Sequence, residues 1–333
     1  MKNFAIKFGL PLTIVIVAVA APLIFNGGVT QNLAILALLF AVVASNWDLT
    51  LGYTGIFNFA HVAFFGIAAY VSAIVTIHLG VPVWIDMVLA VIVVAILSAI
   101  TAFLALRLRG IYVALVTFAF VQLCVALIIS QKSITGGAVG LVGVPDLQIL
   151  GYTFGADYKS YFYLAEILLI ASTIFLRWLV NSDFGLSLIA LRDNENYARS
   201  RGIPSTKQRV LAMVLSSIFP ALAGCVYAHY LIVASPDIFS FSLTTLILSM
   251  TLLGGTATIY GPIIGAIFLT VMTEALAGLG VVRFMIVAAL IILTLRFLPG
   301  GIWSLGETTR EFLSRRRKAG GTHTKSNELE ATQ

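Results

Sequence analysis

The chain contains a series of long apolar runs separated by short polar or glycine-rich connections. A run of about 20 apolar residues is long enough for an α-helix to cross the hydrocarbon core of a bilayer. Because backbone groups in lipid must be hydrogen-bonded within the protein, such runs fold as helices. The runs that we expect to span the membrane cover residues 8–25, 33–51, 52–77, 84–106, 111–130, 161–180, 210–233, 241–253, 263–277 and 282–298.

The composition points to the same class of protein. Of the 333 residues, 60% are hydrophobic and only 10% are charged, whereas soluble domains carry about 25% charged residues. We therefore predict an all-α polytopic integral membrane protein with about ten transmembrane helices, or eight to nine if the short, glycine-interrupted segments do not cross. The transmembrane domain is expected to cover residues 1–305, with an uncleaved first helix. Residues 306–333 form a basic tail that we expect to be disordered beyond Gly320.

The distribution of Lys and Arg predicts the orientation in the membrane. If the N-terminus is cytoplasmic and the spans alternate, only Lys132, Lys159 and Arg283 of the 20 Lys and Arg residues fall on the outer side. Such a bias is typical of cytoplasmic loops, so we expect both termini to be cytoplasmic. It also explains the net charge of +6 without nucleic acid as a partner.

One polar segment, residues 184–209, stands apart from the apolar runs on either side of it. Charged side chains inside the hydrocarbon cost about 2.5–3.5 kcal/mol each even on insertion scales, so this segment must lie outside it. Its charges are mixed in sign, unlike those of a loop that only follows the positive-inside bias. The charged residues are Arg192, Asp193, Glu195, Arg199, Arg201, Lys207 and Arg209.

The polar segment also carries the start and stop signals of a short helix. Asp193 or Asn194 is placed to cap a helix that runs through Tyr197. Gly202 provides a helix end, and Pro204 prevents continuation. We interpret the segment as a short polar helix beneath the membrane that presents its charges to a partner. The alternative is an ordinary connecting loop.

A few polar side chains fall within the predicted spans and are candidates for a translocation pathway. Asn58 and His61 are three residues apart, so they share one face of a helix. Polar groups within a span usually face the protein interior or a cavity. The alternative for this pair is a helix–helix hydrogen bond without a transport role. The remaining candidates are Gln122, Thr244, Thr245 and Ser249.

The sequence shows no motif of a catalytic or energy-converting site. It lacks a P-loop, an HExxH pair, a GxSxG turn and a cluster of Cys and His with metal-ligand spacing. The two cysteines, Cys124 and Cys225, lie in apolar runs, as small buried side chains do. We therefore expect a chain that is not an enzyme and that binds no cofactor or metal. Its energy would come from a partner that docks on the polar segment.

Several stretches together resemble the permeases of branched-chain amino acid ABC importers. The resemblance extends over most of residues 33–303. One stretch is similar to that family's early glycine-rich segment and another to its ATPase-contacting segment, while three more match its late segments. In order they are GYTGIFNFAHVAFFGIAAY, LIALRDNENYARSRGIPSTKQRVLAMVLS, AGCVYAHYLIVASPDIFSF, LLGGTATIYGPIIGA and RFLPGGIW.

The resemblance implies a type II ABC importer-like permease in a bacterial or archaeal inner membrane. Its partners would be a second homologous permease, two cytoplasmic ABC ATPases and an extracytoplasmic substrate-binding protein, in a lipid bilayer. The second permease is usually non-identical in this family. The implied ATPase-coupling residues are Leu191, Arg192, Asp193, Asn194, Glu195, Tyr197, Ala198, Arg199 and Gly202, with Tyr197 and Ala198 filling a groove of the ATPase.

Two alternatives remain open within this interpretation. The polar segment resembles the M-type permease of the family, whereas Asn-Phe-Ala-His at residues 58–61 is closer to the H-type. Related permeases carry urea or short amides, so these are rival substrates. A different class, a secondary transporter built from inverted repeats, would be distinguished by transport that depends on an ion gradient without an ATPase.

Overall fold

A computed structural model describes residues 28–105, 108, 110–149, 152–155, 158–280, 282–297 and 300–304. The predicted first span, residues 8–25, the predicted basic tail, residues 306–333, and both chain termini lie outside these described residues.

The described chain is built from helices, as the apolar runs predict. Six of them, α1, α2, α3, α4, α6 and α9, are long and apolar enough to cross a membrane, and α10, α11 and part of α12 are shorter apolar helices. The chain is therefore a multi-pass membrane protein. The helices are α1 (Gly28–Asp48), α2 (Ala60–Leu79), α3 (Val83–Ala105), α4 (Ile111–Ser130), α5 (Lys132–Thr135), α6 (Tyr158–Val180), α7 (Asp183–Asp193), α8 (Glu195–Ser200), α9 (Ser205–Leu231), α10 (Phe241–Gly254), α11 (Gly261–Ala275) and α12 (Val282–Phe297).

Helix α1 lies at the centre of the bundle. In its most apolar stretch 83% of the residues are buried, against 28% for α3 and 33% for α4 and α6. Helices α6, α9, α10 and α11 pack around α1, while α9 also packs along α2 and α3. The outer faces of α3 and α6 expose large apolar side chains such as Ile96, Ile100 and Trp178. Such faces suit contact with lipid or with another membrane subunit.

Small residues bring α2 and α9 close together. A Cβ atom at Gly224 of α9 would overlap the carbonyl of Phe65, and the Ala68 side chain lies beside it. On another side of α2, Gly66 faces the ring of Phe239 with no room for a methyl group. The absence of side-chain bulk at these positions lets the backbones meet.

The glycine pair at residues 254–255 divides α10 from α11. Helix α10 ends at Gly254, and Gly255 adopts φ +116°, which a side chain would strain. A Cβ atom at Gly265 of α11 would overlap the Met250 carbonyl of α10. The predicted spans 241–253 and 263–277 are therefore two separate helices, and Gly265 lets α11 approach α10 closely.

One predicted boundary is wrong. The sequence pattern placed the start of a span at Gly52, but α1 continues through one π-helical turn, Leu49–Tyr53, and α2 begins only at Ala60. Residues 54–59 are not helical, and Gly55 has φ +71°. The π turn keeps the end of α1 helical because it is anchored by side chains from distant segments, and hydropathy does not register such contacts.

The predicted connection at residues 131–160 contains ordered structure beyond turns. Besides α5, it carries β1 (Leu141–Val142) and a hairpin of β2 (Gln148–Ile149) with β3 (Tyr152–Thr153). Strand β1 pairs antiparallel with β4 (Val233–Ala234), which directly follows α9. The connection is therefore fastened to the end of α9.

Candidate functional site

The polar segment folds as two short helices joined at Asn194. The Asn194 side-chain oxygen accepts a hydrogen bond from the Tyr197 amide at 3.0 Å, so it caps α8. At the other end, Gly202 adopts φ +86°, and the Ile203 amide donates to the Ala198 carbonyl. The predicted short helix, its cap and its stop are therefore present. Helix α9 then starts at Ser205, inside the predicted polar segment.

Glu195 fastens α8 to the beginning of α9. One carboxylate oxygen pairs with Arg199 at 2.8 Å and the other with Arg209 at 3.1 Å. Arg199 also donates from Nε to the Ser205 hydroxyl at 2.8 Å. Several charges that the sequence suggests for a partner are thus already paired within the chain. These contacts join α8 to the beginning of α9.

The accessible surface of the segment centres on Tyr197. Its side chain is 59% exposed, and Arg201 lies over its ring at 5.3 Å and donates to its hydroxyl. Asp193 and Asn194 are also exposed. Leu191 and Ala198 are each 1% exposed. The expectation that Ala198 fills a partner's groove needs correction, because its methyl group packs inside this chain.

Arg192 connects the polar segment to the membrane helices. Its Nη1 donates to the Gly52 carbonyl at 2.8 Å, and its Nε donates to Asp193 at 3.0 Å. Its side chain also covers Gly55, where a Cβ atom would come within 2.9 Å of Arg192 Cγ. Arg192 was predicted to contact an ATPase, but its guanidinium is engaged at the end of α1.

Asp48, on the other side of the π turn, holds the connection between α10 and α11. Its two carboxylate oxygens accept hydrogen bonds from the amides of Ala257 at 2.9 Å and Thr258 at 3.0 Å. The side chain is 0% exposed. This contact was not predicted from the sequence, in which the available signal was a carboxylate at the end of an apolar run.

The structure places Asn58 and His61 in a buried hydrogen-bond network. His61 Nδ1 lies 3.0 Å from Asn58 Oδ1, and His61 Nε2 lies 3.0 Å from the hydroxyl of Ser216 on α9. Trp47 stacks on the imidazole and donates from Nε1 to the Asn58 carbonyl. Asn58 also donates to the Thr50 hydroxyl. Asn58 precedes α2, so the predicted shared helix face is absent. Asn58 and His61 are 1% and 0% exposed, and the contact between His61 and Ser216 is a helix–helix hydrogen bond of the kind that the alternative interpretation describes.

The other pathway candidates divide by exposure. Thr244 and Ser249 are buried, and their hydroxyls donate to carbonyls of the preceding turn. Gln122 and Thr245 are exposed. Each lies one turn from a member of the Phe118–Phe241 ring contact, whose centroids are 5.9 Å apart. Only Gln122 and Thr245 among the six candidates are therefore well exposed on the chain's surface.

A second buried polar cluster was not identified from the sequence. His229, near the end of α9, lies with Nε2 3.2 Å from Asp86 Oδ2 and with Nδ1 2.7 Å from the Pro145 carbonyl. Ser72 and Thr76 of α2 both donate to the same Asp86 oxygen. We name Ser72, Thr76, Asp86 and His229 the histidine clasp. Asp86 and His229 are each 0% exposed.

The hydrogen bonds of the clasp fix the position of one proton. The Pro145 carbonyl can only accept a hydrogen bond, so His229 Nδ1 must donate to it. His229 Nε2 lies 3.2 Å from Asp86 Oδ2 and 3.0 Å from the Ser72 hydroxyl. The clasp therefore joins the first turn of α3, which carries Asp86, to the last turn of α9, which carries His229.

Comparison with known protein families gives one match that covers most of the chain. The model of the family described as "Branched-chain amino acid transport system / permease component" matches residues 29–295. This range includes every contact described above. No solved structure matches the chain.

Three individual relatives share 25–31% sequence identity with the chain over the matched residues. The high-affinity branched-chain amino acid transport system permease protein LivM of Salmonella typhimurium is 25% identical over 313 residues, covering 87% of this chain and 73% of the relative. The probable LivM of Methanocaldococcus jannaschii is 26% identical over 237 residues, or 65% of this chain and 68% of the relative. The autoinducer 2 import system permease protein LsrC of Yersinia pseudotuberculosis is 31% identical over 150 residues, covering 43% and 41%.

Proposed function

Because the chain belongs to the family of permease components of branched-chain amino acid transport systems, we propose that it is a membrane subunit of an ATP-driven importer for branched-chain or other hydrophobic amino acids. It forms half of the translocation pathway and is not itself catalytic. A second homologous permease supplies the other half, and two cytoplasmic ABC ATPases supply the energy. An extracytoplasmic binding protein delivers the substrate.

The observation that carries the coupling role is the form of the polar segment. Helix α8 is folded, capped and clamped by Glu195 to α9, yet it leaves Tyr197 59% exposed. A large exposed aromatic on a rigid element is the kind of anchor that dominates the energy of protein interfaces. We propose that Tyr197 docks on the ATPase, with Asp193, Asn194 and Arg199 around it.

The proposed orientation places the polar segment, and with it both termini, on the cytoplasmic side of a bacterial or archaeal cell membrane. The Lys and Arg bias supports this orientation. Residues 1–305 would form the permease domain and residues 306–333 a cytoplasmic tail. We also propose that the translocation pathway runs along the face that carries Gln122 and Thr245, since these two candidates are exposed. Asn58 and His61 would stabilise the packing behind this face.

The share of the chain that each relative covers indicates which substrates to test first. LivM relatives match along most of the chain, whereas the autoinducer 2 permease matches less than half of it. Amino acids with apolar side chains are therefore the first substrates to test. Urea and short amides remain the rival substrates.

The test is co-purification from the native membrane in mild detergent, with mass spectrometry of the associated proteins. We expect one further permease and one or two P-loop ATPases. Tyr197→Ala should then lower ATPase recovery, by about 2 kcal/mol or more in binding free energy if Tyr197 is an anchor. Tyr163→Ala, which removes another exposed tyrosine from α6, is the matched control. A wild-type chain that purifies alone at every salt concentration would contradict the proposal and favour a secondary transporter.

A further inference from the structure

Three segments of the chain meet at Gly52. The Gly52 carbonyl accepts the hydrogen bond from Arg192 at the end of α7. A Cβ atom at Gly52 would overlap both the Ala257 amide nitrogen and Asp48 Oδ1. The residue therefore touches α7 through its carbonyl and the connection between α10 and α11 through its Cα. We name Asp48, Gly52 and Arg192, with the amides of Ala257 and Thr258, the Gly52 junction.

The side of the junction formed by Asp48 is rigid. A buried carboxylate is tolerated only where its oxygens are hydrogen-bonded, and here each oxygen holds one of two successive amides. Releasing the connection would leave both buried carboxyl oxygens without their donors. These two hydrogen bonds therefore favour a movement in which the residues between α10 and α11 follow the end of α1.

The side of the junction formed by Arg192 faces the polar segment. Arg192 is in the last turn of α7, two residues before the cap of α8. Its side chain is 34% exposed, so the contact with Gly52 lies at the boundary between the accessible segment and the buried helices. Helix α7 contacts the π turn through the hydrogen bond from Arg192 to Gly52 and through Leu188, which packs with Leu49 and Tyr53.

The π turn lies between these two contacts. It covers Leu49–Tyr53, directly after Asp48 and including Gly52. Single π turns within helices are rare and occur frequently at functional sites, since the extra residue interrupts the regular hydrogen-bond ladder. Asp48 directly precedes the irregular turn, and Gly52 lies within it, so close that an added Cβ atom would overlap Asp48 Oδ1. A small change in that turn alters their relative position.

We propose that the Gly52 junction transmits movement of the polar segment to α1 and to the connection between α10 and α11. Asp48 and Arg192 act as positioning residues for transport, and neither contacts the substrate. The inference rests on the proposed function, in which a docked ATPase moves α7 and α8. It adds the route by which that movement enters the membrane.

The first test compares coupling in two pairs of variants of the complete transporter. Asp48→Asn replaces one of the two acceptor oxygens with an NH2 group that cannot accept from an amide, and its control is Asp183→Asn, an exposed carboxylate at the start of α7. Gly52→Ala inserts a methyl group into the junction, and its control is Gly278→Ala, where a Cβ atom meets nothing within 4 Å. Both junction variants should lower radiolabelled leucine uptake per ATP hydrolysed by about fivefold or more, with ATPase co-purification unchanged. Both controls should keep the wild-type ratio.

The second test does not depend on the substrate or on turnover. Thr256 is exposed in the connection between α10 and α11, and the two native cysteines are buried, so Thr256→Cys provides a reactive reporter thiol. Trapping the ATPases with vanadate should change its maleimide labelling rate. Adding Asp48→Asn should abolish that change.

The outcomes separate the two proposals. If no ATPase co-purifies with the unmodified chain, the proposed function fails, and the junction fails with it. If ATPases are present but the labelling rate does not respond to vanadate, or responds equally with Asp48→Asn, the junction alone is overturned. The same conclusion follows if Gly52→Ala keeps the wild-type ratio of uptake to hydrolysis. A misfolded Asp48→Asn protein leaves Gly52→Ala as the deciding variant.

Discussion

The histidine clasp and the Gly52 junction each use a buried aspartate to hold three segments together, but they differ in what that aspartate binds. In the clasp, Asp86 binds His229 and two hydroxyls, all from the helices α2 and α9. In the junction, Asp48 binds two backbone amides of a connection, next to an arginine that is partly exposed. An aspartate thus joins three helices in the clasp, whereas in the junction an aspartate joins the end of α1 to a connection beside an accessible surface.

This difference predicts different consequences of mutation. Inside the clasp every side chain is 8% exposed or less, so a change there affects the free energy of unfolding. The Gly52 junction instead includes Arg192, which belongs to the polar segment and whose side chain is 34% exposed. A change there should affect coupling more than stability. Four substitutions test this contrast, in order of decreasing effect on stability.

The largest effect is expected for the clasp. His229→Leu takes the imidazole away from the buried Asp86 carboxyl group, and a buried polar group that loses its partner costs about 1–3 kcal/mol, or more if it is charged. Thermal unfolding of the purified protein in detergent provides the measurement. The double variant Asp86→Leu/His229→Leu should recover part of the loss, because replacing both partners by apolar side chains leaves neither polar group without its partner. Losses that simply add in the double variant would show that the two residues do not form a pair.

A loss of similar or smaller size is expected for the network around His61. His61→Ala removes the hydrogen bonds to Asn58 and Ser216 and leaves a cavity beside Trp47, at a cost of about 2–3 kcal/mol. Transport per folded molecule should stay at the wild-type rate, since the side chain is 0% exposed. Uptake normalised to the amount of folded protein is the measurement. A normalised rate that collapses would restore the pathway role predicted from the sequence.

A change in the Gly52 junction should lower the free energy of unfolding by a still smaller amount. Asp48→Asn keeps the shape of the side chain and one acceptor oxygen, so we expect a loss of about 1–2 kcal/mol. Uptake per ATP should nevertheless fall more than for any clasp variant of equal stability. Unfolding and coupling are measured on the same preparations. If the ratio of these two effects is equal for Asp48→Asn and the clasp variants, the contrast between the two regions fails.

The smallest effect is expected on the surface of the polar segment. Arg199→Gln removes one partner of Glu195 while Arg209 remains, so the loss should be about 0.3–0.5 kcal/mol. High salt should reduce it further, because the pair is exposed and screened. The effect of His229→Leu should change little under the same titration. A strong salt dependence at the clasp would indicate that water reaches Asp86.

Local signals in the sequence were sufficient for most helices and for the polar segment. Long apolar runs predicted the spans because length and hydropathy act within each helix. Asn194, Gly202 and Pro204 predicted the boundaries of α8 because caps and helix ends are determined by neighbouring residues. The break at residues 254–255 followed from the glycine pair in the same way.

The contacts between distant segments could not be predicted from these signals. Asp48 and Ala257 are 209 positions apart, and Asp86 and His229 are 143 apart. A carboxylate in an apolar run looks the same whether it anchors a helix end or binds buried partners. For that reason the start of α2 was placed at Gly52, where the π turn of α1 lies. The buried partners of Asn58 and His61 were not predicted either, since polarity within a span does not reveal the neighbouring helix.

The most direct measurement is amide hydrogen exchange on the assembled transporter, with and without vanadate trapping of its ATPases. Exchange reports the opening of individual hydrogen bonds. We predict that the amides of Ala257 and Thr258, which donate to Asp48, change their protection on trapping. The amides of Gly143 and Val144, which donate to Ile232 near the clasp, should keep theirs. Unchanged protection at Ala257 and Thr258, with a change at Gly143 and Val144, would contradict the account.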